Sequence, residues 1–417
     1  MVIKLNIHLI FIFILFIISY FIGSVRLPIG PIRLDFVFDF IILGYILLIY
    51  KKIDVKQILH ILPFSLFIIY FAVWLLFNYS SLAIRDILFI LIPIYYMVTY
   101  FVLEFLLKRI NISTIYKLLS FYIVINFIFA LLQYTNLFGL NSILSPYYEM
   151  LAFNNATDSN MALKLWQRPF GLTGNPTFLT FLLYLNYKMC SSIKKSKLIS
   201  AIAFFTILLS GGRMVLTFVI VWEIFEFIYR KIKQIRSYKQ LLKILIVTIF
   251  SLIAITLIIL LSLQNIPYMR EQIYEPLQRG TLFYTPSYTY RASMYQMLFE
   301  NDLKTLLFGG FSYNSFEKLG IYAVDSEYVM RICQFGFVGF LLLYYPLIKL
   351  CIYYKFNIKA LFILALCLST SITNFAVTNY AFIFYITLYL ILFRLYFFNY
   401  SCYVCNKKRK IKLICNV

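Results

Sequence analysis

Four groups of residues in this chain combine charge, glycine and aromatic side chains at spacings suited to handling an anion. The first is Trp166-Gln167-Arg168-Pro169-Phe170-Gly171-Leu172-Thr173-Gly174-Asn175-Pro176. Asn175 is a good N-cap and Pro176 suits a first helical turn, so the pair predicts a helix start. The free N–H groups and positive dipole end of that start, beside Arg168, suit a phosphate. The plainer reading is a capped helix with an arginine reaching the membrane surface. The second group is Ser210-Gly211-Gly212-Arg213. The apolar run before it, 198–210, reaches only roughly 20 Å as a helix, too short to cross a bilayer. The hairpin tip is therefore expected to lie recessed, where an unpaired arginine costs about 2.5–3.5 kcal/mol. Gly211 and Gly212 expose backbone N–H groups at a second anion-friendly helix start. Either an acidic residue from another loop or an anionic ligand pairs Arg213, or its side chain snorkels.

The third group opens at Arg291, in RASMYQMLFENDLKTLLFGG. Met294, Met297, Leu298 and Leu303 recur on one face before a Gly309-Gly310 stop, which predicts a single amphipathic helix. It would lie on the membrane surface or roof a cavity. Tyr295 and seven further tyrosines accompany it (268, 274, 284, 288, 290, 313 and 322). Such rings suit sugar stacking and suit an interfacial aromatic belt equally. The fourth group is Asp325-Ser326-Glu327, with Arg331 one turn on and able to pair with Glu327 at i,i+4. A carboxylate there is a candidate general base toward a sugar hydroxyl, and it also reads as a helix cap.

Other ionisable residues read as structural. Glu223 and Glu226 share a face next to Arg230 and predict ion pairs, and Asp35 and Asp39 stand four apart in a second apolar helix. His8 and His60, the two histidines, border apolar runs, so a histidine-based metal site is not expected. Cys402-x-x-Cys405 has metal-ligand spacing but no second pair, and none of the seven cysteines falls in 264–325. No cofactor is expected.

These groups must be positioned by membrane helices. Hydrophobic residues make up 63% of the 417-residue chain and charged ones 13%, against about 25% charged in a soluble domain. Apolar runs recur at lengths that cross a bilayer, and in lipid such runs must be helical. The expected fold is all-α, a single polytopic membrane domain over 1–417. Twelve spans are read at 5–22, 34–50, 58–77, 87–107, 118–135, 175–190, 198–210, 214–229, 242–263, 326–346, 360–377 and 379–398. The first is read as a retained helix, since it lacks a small-residue cleavage site.

The net charge of +22 does not indicate nucleic acid, because the positive residues gather at the ends of apolar runs. Of the 38 basic residues, 25 fall in the loops that twelve spans put on the side of the termini. That side is expected to be cytoplasmic. Two long polar loops, 136–174 and 264–325, fall on the opposite face, the larger one between helices nine and ten. Their aromatic content suits packed structure.

In order and placement these features resemble the O-antigen polymerase (Wzy-type) and O-antigen ligase superfamily. The resemblance rests on Arg168 to Pro176, on Ser210 to Arg213, and on Arg291, Tyr295 and Gly309-Gly310. The last part is Asp325 running into Gly336-Phe337-Val338-Gly339. It covers about 165–345, with topology extending it over the chain. The superfamily's ligases carry an essential histidine near the outer end of the helix after the large loop, where this chain has Asp325-Ser326-Glu327. That departure favours the polymerase branch over the ligase. The resemblance implies metal-independent, inverting glycosyl transfer between undecaprenyl-diphosphate-linked glycans at the outer face of a bacterial inner membrane. Arg168, Arg213 and Arg291 would hold diphosphates, with Asn175, Gly211, Gly212 and Tyr295 lining the substrate. Asp325 or Glu327 would orient or deprotonate the acceptor, with a flippase and a chain-length regulator as possible partners. A lipid-linked oligosaccharide flippase is the rival reading for the chain itself.

Overall fold

Long runs of Ile, Leu and Phe satisfy their backbone internally as helices, and these helices pack largely through aromatic and aliphatic side chains. The computed structural model describes residues 7–19, 34–50, 55–78, 82–143, 171–173, 176–210, 212–232, 264, 270, 274–280, 286–318, 326–372 and 374–397. Among the described residues the chain is 86% helix and has no strand. Among the described residues, three helical segments are long and apolar enough to cross a membrane: Ile84–Leu107, Ile112–Thr135 and Glu327–Tyr353. Shorter apolar helices include Ile7–Ile17, Leu62–Asn78, Lys197–Ser210 and Ile358–Ser371. The expected span 242–263 lies outside the described residues.

Leu91–Leu107 is largely enclosed, with Val102, Leu103, Leu106 and Leu107 buried. Tyr122, Tyr184, Tyr344, Tyr385 and Tyr389 are also fully buried. One end of the bundle carries ion pairs. Lys188 reaches Glu223 at 2.5 Å and Glu226 at 2.6 Å, and Arg230 also pairs with Glu226. Glu226 and Arg230 pair as the sequence predicts, and Lys188 joins them from a neighbouring helix. Buried Glu104 holds Lys108 at 2.6 Å together with Arg394.

Several expected boundaries move, and the reasons are local. The span expected over 87–107 starts at Ile84 and runs on to Leu107 through a tighter right-handed turn at 89–90, which divides it into Ile84–Leu88 and Leu91–Leu107. The single amphipathic helix expected from Arg291 is also two, Pro286–Glu300 and Leu303–Phe308. Asp302 starts the second by accepting the Thr305 N–H at 3.0 Å, a side-chain cap that competes with helix continuation. Met294 and Leu298 are buried as their spacing predicts, but Leu303, on the far side of that cap, is 72% exposed. The helix expected over 360–377 ends at Ser371, and 374–379 form an irregular turn before Tyr380–Leu392.

The helix Glu327–Tyr353 is broken at Gly336, whose φ of 67° and ψ of 176° are non-helical. The break opens because another loop presses into it. An added Cβ on Gly336 would stand 2.2 Å from the Leu307 carbonyl carbon, and one on Gly309 would stand 2.1 Å from the Gln334 carbonyl oxygen. Freed carbonyls must find donors. The Gly310 N–H donates to Cys333 O at 3.1 Å, as does the Phe311 N–H. The Tyr70 hydroxyl donates to Phe335 O at 2.6 Å and Phe308 O at 3.0 Å. Phe335 then fills a box of Phe67, Phe71, Trp74 and Phe89, with ring centroids 4.8–5.8 Å away.

Candidate functional site

Glu327 begins its helix fully buried, so its carboxylate must be satisfied internally. The 374–379 turn supplies most of the donors. The Ala376, Val377 and Thr378 N–H groups donate to it at 2.9, 3.3 and 2.7 Å. The Tyr344 hydroxyl donates at 3.0 Å, and the Ser371 hydroxyl completes five donors. So placed, Glu327 clamps the turn to the helix start and has no open edge toward an incoming hydroxyl.

Arg331, one turn below, is 4% exposed and does not pair with Glu327 as the i,i+4 spacing predicts. Its Nε donates to Thr378 Oγ1 at 3.2 Å and its Nη1 to Gln334 Oε1. Phe89 and Phe375 stand 4.3 and 5.1 Å from the guanidinium carbon. Glu327 is held by other donors, four on Oε2 and the Thr378 N–H on Oε1, and the second nearby carboxylate, Asp86, is likewise held elsewhere. Asp86 accepts N–H groups of Ala83 at 2.9 Å and Tyr313 at 3.2 Å, and the Gln334 amide at 3.1 Å. The Nη2 of Arg331 therefore has no acceptor among the described residues. A buried guanidinium with an unused edge, beside carboxylates already satisfied, is suited to a phosphate or another anion.

Other elements converge on the same end. Tyr295 shares a hydrogen bond of 2.9 Å with the Ser326 hydroxyl and donates to Ile372 O at 3.1 Å. This pins Pro286–Glu300 over the start of the Glu327 helix, with Met294 and Leu298 packed on Val329 and Met330. Gly171, just after Arg168 in sequence, is held on Ile112–Thr135. Its N–H donates to Gln133 Oε1 at 2.9 Å, and the Leu172 N–H donates to Asn126 at 3.1 Å. Gly171 has φ +56°, and a Cβ there would meet Asn126 Oδ1 at 2.6 Å. Thr180 and Ser210 share a hydrogen bond of 2.6 Å. That contact ties the helix starting at Pro176 to the hairpin whose next helix starts at Arg213. Phe181 stacks on Phe382 at 4.2 Å, linking the Pro176 helix to the one that follows the turn.

Of the residues singled out in the sequence, Glu327 and Tyr295 meet at this end through Ser326. Gly212 is buried at the hairpin. Arg213 opens the helix Arg213–Ile232 and Arg291 lies within Pro286–Glu300. Arg168, Asn175, Gly211 and Asp325 lie outside the described residues. Sequence reasoning missed Asp86 and Gln334 and misjudged the partner of Arg331. The signal available was Arg331-x-x-Gln334, two polar residues inside an apolar run.

Comparison with protein-family models, with curated proteins and with solved structures returns no match.

Proposed function

We propose that this protein is a polymerase that joins undecaprenyl-diphosphate-linked oligosaccharide repeat units into a surface polysaccharide, O-antigen or capsule. The reaction would take place at the outer face of a bacterial cytoplasmic membrane, with both termini cytoplasmic. The observation that carries the reading is Arg331. It is a buried cation with an unused guanidinium edge, beside the 374–379 turn and near the start of the Glu327 helix, over which Pro286–Glu300 is pinned. A lipid diphosphate needs such a site as anchor and again as leaving group. In the proposed step the acceptor hydroxyl oxygen bonds to the anomeric carbon of the donor glycan. The bond from that carbon to the diphosphate breaks with inversion, and the hydroxyl proton passes to a base. Arg331, with Arg168, Arg213 and Arg291, would stabilise the charge growing on the diphosphate. Because five donors already occupy Glu327, Asp325 is the better candidate for the base, and Glu327 holds the turn that aims Arg331.

Reconstitution of the purified chain with a lipid-linked repeat unit tests this. Chain growth is expected, and Arg213→Ala and Arg291→Ala should abolish it at normal protein level. A flippase is the second reading, favoured by the helix broken at Gly336, since broken helices accompany transport paths. Movement of the substrate between leaflets with no new glycosidic bond would replace the polymerase with the flippase.

A further inference from the structure

Away from that network, the helix Leu34–Tyr50 buries two carboxylates four residues apart, Asp35 at 7% and Asp39 at 2% exposure. Both line a small cavity of about 10 Å³, room for one water-sized particle. Tyr95 and Thr99 contribute to the lining, and Phe36 and Phe384 form apolar wall. The Thr99 hydroxyl donates to Asp39 Oδ2 at 2.5 Å. Asp39 Oδ1 is buried with no hydrogen-bond partner. A bare carboxylate oxygen in an apolar bundle is costly. Protonation would remove the charge but would not give Oδ1 a partner. A proton on Oδ1 would lack an acceptor, and one on Oδ2 would take over the Thr99 contact and leave Oδ1 bare.

We propose that this void is a binding site for a monovalent cation of sodium size, held by Asp39 Oδ1 with the Asp35 carboxylate. A hard cation seeks oxygen ligands, and every polar side chain lining the cavity, Asp35, Asp39, Tyr95 and Thr99, carries oxygen. Calcium takes six to eight oxygens, and magnesium keeps several waters. A space for one particle between two carboxylates suits neither. The cation cancels the repulsion between Asp35 and Asp39 and ties Leu34–Tyr50 to the helix that carries Thr99.

The test uses the full-length protein in detergent at about pH 8, where exposed carboxylates are ionised. Sodium chloride is compared with choline chloride at equal ionic strength, and binding of radioactive sodium is measured directly. Sodium is expected to raise the unfolding temperature saturably and choline is not. Asp39→Asn should abolish sodium binding, and Asp35→Asn should weaken it about tenfold or more. Should Asp39→Asn fail to fold, Asp35→Asn alone decides the matter, and unchanged sodium affinity in it overturns the proposal. So does a wild-type protein that sodium stabilises no better than choline. Stabilisation by acid alone, with no sodium binding, assigns the site to a proton or a water and likewise overturns it.

Discussion

Glu327 and Arg331 stand one helical turn apart and do not touch, because Thr378 stands between them. The Thr378 N–H donates to Glu327 at 2.7 Å and its hydroxyl accepts from Arg331 Nε at 3.2 Å. One turn of backbone thus fixes an anion and a cation without letting them neutralise each other. The carboxylate is spent on structure, and the guanidinium keeps donors in reserve.

Removing either side of this arrangement should have different consequences. Glu327→Gln turns amide hydrogens toward N–H donors and leaves buried donors without an acceptor, each at about 1–3 kcal/mol. Its unfolding temperature in detergent should fall by several degrees. Thr378→Val keeps the N–H and strands only the Arg331 Nε–H, so its unfolding temperature should fall less than that of Glu327→Gln while polymer yield drops. Equal loss of folded protein in both would show that the hydroxyl matters for structure alone.

Arg331→Lys keeps the charge and loses the planar fork. A bidentate role toward phosphate predicts a loss of polymer of about tenfold or more with folded protein retained. If the lysine variant polymerises at the normal rate, Arg331 serves only as a point charge.

Gly336 and Gly309 interlock, so a methyl on either collides with backbone rather than with a movable side chain. Gly336→Ala and Gly309→Ala should each lower the yield of monodisperse protein sharply. Gly44→Ala, with nothing within 4 Å of the new carbon, should be neutral or slightly stabilising. Size-exclusion profiles of the three variants make the comparison.

Tyr295→Phe removes the contacts to Ser326 and Ile372 but keeps the ring. Amide exchange should quicken over Pro286–Glu300 by about tenfold, as a loss of 0.5–1.5 kcal/mol allows, and stay unchanged in Ile112–Thr135. Unaltered exchange in Pro286–Glu300 would mean that Met294 and Leu298 hold the helix unaided.

The Thr305 hydroxyl and N–H, with Lys304 nearby, hold the Asp302 carboxyl below its usual range. A lowered pKa means the ionised form is favoured in the folded chain. The cap therefore stabilises Leu303–Phe308 in full above the ordinary aspartate value of about 3.9 and loses that contribution as pH falls through the lower folded value. Exchange in 303–308 should rise on acidification below about pH 4 after correction for intrinsic rates. Asp302→Ala should already show the raised exchange at neutral pH and respond less to acid.

Much of the architecture is legible in the chain itself, since apolar runs of bilayer length have few alternatives to helices. The starts at Pro176 and Arg213, the burial of Met294 and Leu298, and the pairing of Glu226 with Arg230 all follow from local patterns. Hydropathy did not reveal the two irregular segments that build the site. Phe335-Gly336-Phe337 and Ala376-Val377 are as apolar as the helices around them, so periodicity runs through both. What breaks the helix at Gly336 is the backbone of Leu307 and Phe308, pressed into contact across the fold. What opens the 374–379 turn is a carboxylate some fifty residues earlier, demanding three N–H groups. Local sequence determined which segments become helices. Tertiary structure decided where two of them stop, because buried backbone and buried charge take partners wherever the fold brings them near.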